Sequence, residues 1–181
     1  MNNIKLKYSL TNEDFLEHQL YIASKSKNII KKRKRTRVIV PLVYLALALF
    51  FFFSKENYIS SIIFISIAVV WYLFYPIRSK KLHIKHYQNH ITEHYKNRIG
   101  VESEIKITND YIFGIDNSGE SKTKIEEVES LIELKNRFFL KLKKGLSLVI
   151  PKTAIDDIML FKNKISELNI EIIDELNWEF K

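Results

Sequence analysis

Two apolar runs, Val38–Phe53 and Tyr58–Tyr75, stand four residues apart between two blocks of positive charge. No other feature narrows so far what the chain can fold into. The first run holds 16 residues without a charge, about 24 Å of helix at 1.5 Å per residue. A bilayer's hydrocarbon core is about 30 Å thick, and Arg37 and Lys55 can snorkel from the two ends to close the gap. The second run holds 18 residues, and Pro76 and Ile77 extend it to about 30 Å. With only Ser54-Lys55-Glu56-Asn57 between the runs, two buried core helices are disfavoured. A transmembrane hairpin over 38–75 is predicted.

The flanks set its orientation. Lys31, Lys32, Arg33, Lys34, Arg35 and Arg37 precede the first run, and Arg78, Lys80, Lys81 and Lys85 follow the second. Positive residues stay on the cytoplasmic side, so the expectation is a multi-pass cell-membrane protein with both termini cytoplasmic. Trp71, Tyr72 and Tyr75 fit an interfacial aromatic belt. The segment starts too late for a cleaved signal peptide and lacks a small-residue cleavage site. Basic juxtamembrane residues attract anionic lipid, so Lys31, Lys32, Arg33, Lys34, Arg35, Arg37, Arg78, Lys80 and Lys81 are the candidate headgroup contacts. The plainer reading, that they only fix topology, stands beside this one.

The formal charge of +8 is a local effect. Residues 1–98 carry 17 Lys/Arg and 5 Asp/Glu, whereas residues 99–181 carry 12 and 16. The carboxy-terminal part is therefore mildly acidic, which argues against nucleic acid as a partner. The chain has no Cys, and so no disulfide, thiol nucleophile or Cys-ligated metal.

Ile4, Leu6, Tyr8 and Leu10 alternate with polar residues, the period of a half-buried strand. Thr11 and Asp14 form a variant capping box. It opens a helix expected from Asn12 to Ile30 or beyond, with Phe15, Leu16, Leu20 and Ala23 on its apolar face. Pro41 argues for a break or a fresh start. A polar helix is expected over Ser79–Arg98, with Gly100 as its stop. Strands are expected at 104–108, 111–115, 138–142 and 146–150, with turns at Asn109-Asp110, 116–119 and Lys143-Lys144-Gly145 and one or two more strands within 121–135. A helix over Ala154–Leu168 follows, with Asn169 just beyond it. The tail fits either a strand or a membrane-surface segment. The first strand has no local partner and is expected to join the same sheet, with the hairpin inserted between.

The helix TNEDFLEHQLYIASKSKNIIKKRKRTR before a two-span hairpin, the Gly119-Glu120-Ser121-Lys122 turn, Phe138-Phe139-Leu140 and Val149-Ile150-Pro151-Lys152 together resemble the YcxB-like proteins. These are small bacterial membrane proteins with a cytosolic carboxy-terminal domain. The resemblance implies a pleckstrin-homology-like domain, a curved antiparallel sheet capped by a helix, and it brings no catalytic residues. The expected fold class is an α+β membrane protein, with a two-helix transmembrane hairpin and a small antiparallel sheet domain. The expected organisation is a cytosolic strand and basic helix over 1–37, the hairpin over 38–75, a polar cytosolic helix over 76–98 and a YcxB-like cytosolic domain over 99–181.

His83, His86, His90 and His94 fall within roughly 80° of arc on a helix. Pairs four apart can share a metal ion, so these four are the candidate metal ligands. A titrating stripe is a further possibility, since an unperturbed His titrates near pH 6.5. Against the metal stand the need for three or four convergent ligands and the ordinary role of a polar stripe near headgroups. The pairs Glu126-Glu127, Asp156-Asp157 and Asp174-Glu175 read as structural, because neighbours on a strand face opposite ways and acids offset a helix dipole. No G-x-S-x-G, P-loop or dinucleotide fingerprint is present. Neither catalysis nor a cofactor is expected. The expected function is a membrane-anchored, cytosol-facing binding or adaptor module. It would contact anionic lipid and a protein partner and could form a homo-oligomer. The alternatives are an immunity or stress-protection protein acting against a toxin and a metal-responsive protein using the His-rich helix.

Overall fold

The computed structural model describes residues 3–55, 57–117, 119–145 and 147–181, the side chain of Lys55 excepted. Glu56 of the expected loop, Ser118 of the expected turn at 116–119 and Leu146 of the expected strand lie outside the described residues. The fold is α+β, with two long apolar helices and two four-stranded sheets. Two compact units emerge. One holds the residues up to His18 together with Gln88–Glu179, and the other holds Gln19–Tyr87 with Phe180 and Lys181.

In the sheet unit, β1 (Ile4–Ser9) pairs antiparallel with β2 (Glu102–Ile107), as its alternation and missing local partner led one to expect. Leu6 lies opposite Ile105 and points inward, while Lys5 and Lys7 stay exposed. β3 (Tyr111–Asp116) and β4 (Gly119–Lys124) complete this sheet. The second sheet has the order β7-β6-β5-β8, from β5 (Val128–Glu133), β6 (Arg137–Leu142), β7 (Ser147–Pro151) and β8 (Glu171–Asp174). The tail is thus a strand over Glu171–Asp174 and irregular beyond it. This strand pairs parallel to β5, so the second sheet is not wholly antiparallel. Leu6, Ile107, Leu131 and Phe138 share one core with Phe161 and Ile165 of α4 (Ile158–Glu167).

α4 starts later than the expected Ala154. Lys152–Ala154 form a single 3-10 turn, and the Asp157 carboxylate accepts the Leu160 N–H at 2.9 Å as the N-cap. Asp157 therefore precedes the helix rather than sitting in its first turn. Glu126-Glu127 lie in another 3-10 turn, Ile125–Glu127, not on a strand. At the far end Asn169 takes a φ of 57°. Its N–H donates to the Ser166 carbonyl and that of Ile170 to the Ile165 carbonyl, the Schellman arrangement.

α1 (Asn12–Lys25) is opened by the anticipated box: Thr11 N–H donates to Asp14 Oδ2 at 2.8 Å and Asp14 N–H to Thr11 Oγ1 at 3.3 Å. The helix stops five residues before Ile30, because Ser26 accepts the Ile29 N–H and starts a second helix. That helix, α2 (Lys27–Lys55), passes through Pro41 without a break. The second apolar run and the polar helix are one element, α3 (Tyr58–His94), which contains Pro76 and ends four residues before the expected Arg98.

α2 and α3 run antiparallel. Their contact seam follows a three-and-four spacing, Pro41, Tyr44, Ala48 and Phe51 against Ser61, Phe64 and Ala68. Ser61 Oγ donates to the Ala48 carbonyl at 3.0 Å, and small residues at this crossing let the backbones approach. Both helices are long and apolar enough to cross a membrane, and only 11% of each apolar window is buried.

Candidate anion site at the basic end of the helix pair

Proline has no N–H, so Pro76 leaves the carbonyl of Tyr72, one turn earlier, without its helical donor. The Nε of Arg37 donates to that oxygen at 3.3 Å, and the guanidinium lies 4.3 Å from the centre of the Tyr72 ring. One turn back on α2, the Nε of Arg33 donates to Ser79 Oγ at 3.0 Å, with its guanidinium 5.2 Å from the Phe180 ring. Each arginine is held along one edge of its fork. Among the described residues neither guanidinium has a further hydrogen bond or an ion pair.

The other candidate lipid contacts are placed differently. Lys31, Lys32, Lys34 and Arg35 are exposed on α2, and Arg78 and Lys81 are exposed on α3 with Lys80 half-buried. Of the nine, Arg33 and Arg37 alone are joined to the facing helix by hydrogen bonds among the described residues. Arg37 therefore has a structural partner that a freely snorkelling side chain would lack.

The four histidines all lie on α3, His83 and His86 in the helix unit and His90 and His94 in the sheet unit. A ring N–H of His83 donates to the Ser79 carbonyl at 2.8 Å, and that of His94 to the His90 carbonyl at 3.2 Å. The His90 and His94 rings are 4.4 Å apart, whereas His86 rests edge-on against Tyr87. Among the described residues no three His, Cys, Asp or Glu side chains gather to hold a metal ion.

The sheet unit holds two charged clusters that its sequence pattern did not disclose. Arg137, 5% exposed, bridges Asp14 at 3.2 Å and Glu17 at 2.5 Å and donates to the Glu13 carbonyl at 2.8 Å. Burial pushes the Glu17 carboxyl above its usual range; Arg137 opposes this, while Glu13 and Asp14 add to it. Beside it, burial lowers His18 to about 4. The His18 Nε2 is buried without a hydrogen-bond partner among the described residues, and its ring meets Phe139 edge-on at 5.0 Å. In the second cluster Glu133 takes Lys152 at 2.8 Å and Lys162 at 2.6 Å. Burial alone would raise its carboxyl, but the two lysine hydrogen bonds outweigh that and hold it low. The isolated Arg137 before the apolar Phe138-Phe139-Leu140 was the one available signal.

The family model for YcxB-like protein matches residues 107–165. Over this stretch the chain is similar to that family. The matched segment runs from the last residue of β2 through β3–β7 into α4. It contains Glu133, Arg137, Lys152 and Lys162, whereas Asp14, Glu17, Arg33 and Arg37 lie before it. No curated protein and no solved structure matches the chain.

Proposed function

We propose that the chain is a membrane-anchored binding or adaptor module whose sheet unit faces the cytosol and has a pleckstrin-homology-like character. The observation that carries this reading is the exposure of α2 and α3. Leu42, Leu49, Phe53, Ile59, Ile62 and Leu73 are each more than half exposed. Each such side chain left in water forfeits about 1.5–3 kcal/mol of burial, a cost that a bilayer removes. Helices satisfy their backbone polar groups internally, as a spanning segment must. The positive flanks support cytoplasmic ends.

Binding is favoured over catalysis because the buried ionised groups of the sheet unit neutralise one another in the Arg137 and Glu133 clusters. The outer face of the first sheet offers a docking surface instead. Tyr111, Phe113 and Ile115 form a row on β3, with Lys122 Nζ 3.9 Å from the centre of the Tyr111 ring. Lys5, Glu104, Lys106, Phe113 and Ile115 line a shallow concavity there. An amphipathic strip of this kind suits a protein partner.

The native chain has no Cys, so single introduced thiols can report topology. Asn57→Cys should react with an impermeant maleimide from outside intact cells, and Asn177→Cys only after lysis. Equal labelling of both from outside would refute the proposed topology. Loss of a co-purifying partner in Phe113→Ala would support docking on this sheet, while an unchanged partner set would remove that surface from consideration.

A further inference from the structure

We infer that Arg33 and Arg37 form a site for a single phosphate group, presented by a lipid headgroup or as free phosphate. This goes beyond the docking role of the sheet unit. The two residues are four apart on α2, about 6 Å along the axis and on one face. Each uses its Nε toward α3, which fixes the plane of the guanidinium and leaves the paired Nη edge for a ligand. Fixing both forks beforehand lowers the ordering cost of binding.

Charge supplies the second argument. Both arginines are half-buried, yet neither has a carboxylate partner among the described residues. α2 contains no acidic residue, and α3 has only Glu93, in its last turn. The neighbours are Lys31, Lys32, Lys34 and Arg35 on one helix and Arg78, Lys80 and Lys81 on the other. Partly desolvated cations without a counterion call for an anion. Arginine forks match phosphate oxygens bidentately, and a phosphate can accept from both. The exposed lysines nearby add a diffuse, salt-screened attraction, whereas the Arg33–Arg37 site requires position as well as charge.

The test uses the full chain purified in a neutral detergent, so it reads the site whether or not the helices span a bilayer. Short-chain phosphatidic acid, short-chain phosphatidylcholine and inorganic phosphate are titrated by calorimetry. The expected result is saturable binding of phosphatidic acid, weakened at least about tenfold in R33Q/R37Q and less than about twofold in K31Q/K32Q, which removes the same charge. Inorganic phosphate binding equally well would support the site with free phosphate as its source, and its failure beside tight phosphatidic acid would support the headgroup. If R33Q/R37Q loses helicity, R33K/R37K decides: it keeps the charge and removes the forks, and a retained affinity would overturn the site. Equal losses in the Arg and Lys pairs, or no saturable binding to folded protein, would also overturn it.

Discussion

The Nε of Arg37 donates to the carbonyl of Tyr72, the oxygen that Pro76 leaves without a helical donor. A side chain from one helix thus completes the backbone of the other. Removing Arg37 leaves an unsatisfied carbonyl, with an expected cost of about 1–3 kcal/mol. Pro76→Ala restores the N–H that this oxygen lacks, so Arg37→Ala should cost less in that background. A double-mutant cycle on thermal unfolding of the helices measures the coupling. Additive effects would show that the two residues do not share this oxygen.

Arg137 is the only cation within ion-pair distance of Asp14 and Glu17 among the described residues. Arg137→Ala leaves two carboxylates facing each other in a buried site, and a loss of about 3–5 kcal/mol is expected in urea unfolding. Arg137→Met, which fills the volume, combined with Asp14→Asn and Glu17→Gln should recover part of it. A loss below about 1 kcal/mol for Arg137→Ala would mean that water already screens the cluster.

His18 is held neutral, its pKa lowered to about 4 against an ordinary 6.5. The unfolded chain takes up this proton first as pH falls. Its contribution is therefore complete above about pH 6.5 and is lost as pH drops toward 4. The size is on the order of 3 kcal/mol. Glu17 works the other way: its raised carboxyl binds a proton more readily when folded, which offsets part of the loss. His18→Phe keeps the contact with Phe139 and should flatten the decline in urea midpoint between pH 7 and pH 5. An unchanged slope would place the acid sensitivity elsewhere.

The ends of α4 make a smaller test. Asp157→Ala removes the N-cap and should cost about 1 kcal/mol. Asn169→Val forces a β-branched residue to a φ of 57° and should also destabilise, whereas Asn169→Gly should be neutral or better. Hydrogen exchange in α4 would register both.

Local signals were the legible ones. The alternation of β1, the Thr11–Asp14 box and the Asn169 cap each depend on residues a few positions apart, and each lies where its pattern put it. The start of α4 was misjudged because Asp157 suits a cap as well as a first turn. The break before α2 was misplaced because Pro41 is the more obvious interrupter, yet Ser26 caps while a proline can persist inside a packed helix. What the sequence pattern could not supply was pairing at long range. Arg137 reaches Glu13 across 124 positions, and β8 finds β5 in parallel register through a connection with no sequence mark. Arg33 and Arg37 were singled out as charges, but their different hydrogen-bond partners become visible only with α3 beside them.

The pairing of Ile4 with Ile107 has a consequence for biosynthesis. Strand β1 leaves the ribosome before either apolar helix, and β2 leaves after both. The first strand must wait, its edge unpaired, while the hairpin is made. Lys5 and Lys7, alternating along it, guard that edge against the wrong neighbour in the meantime. A chain that stalls within α3 has no partner for its own beginning, so pairing of β1 marks a molecule translated past both apolar helices.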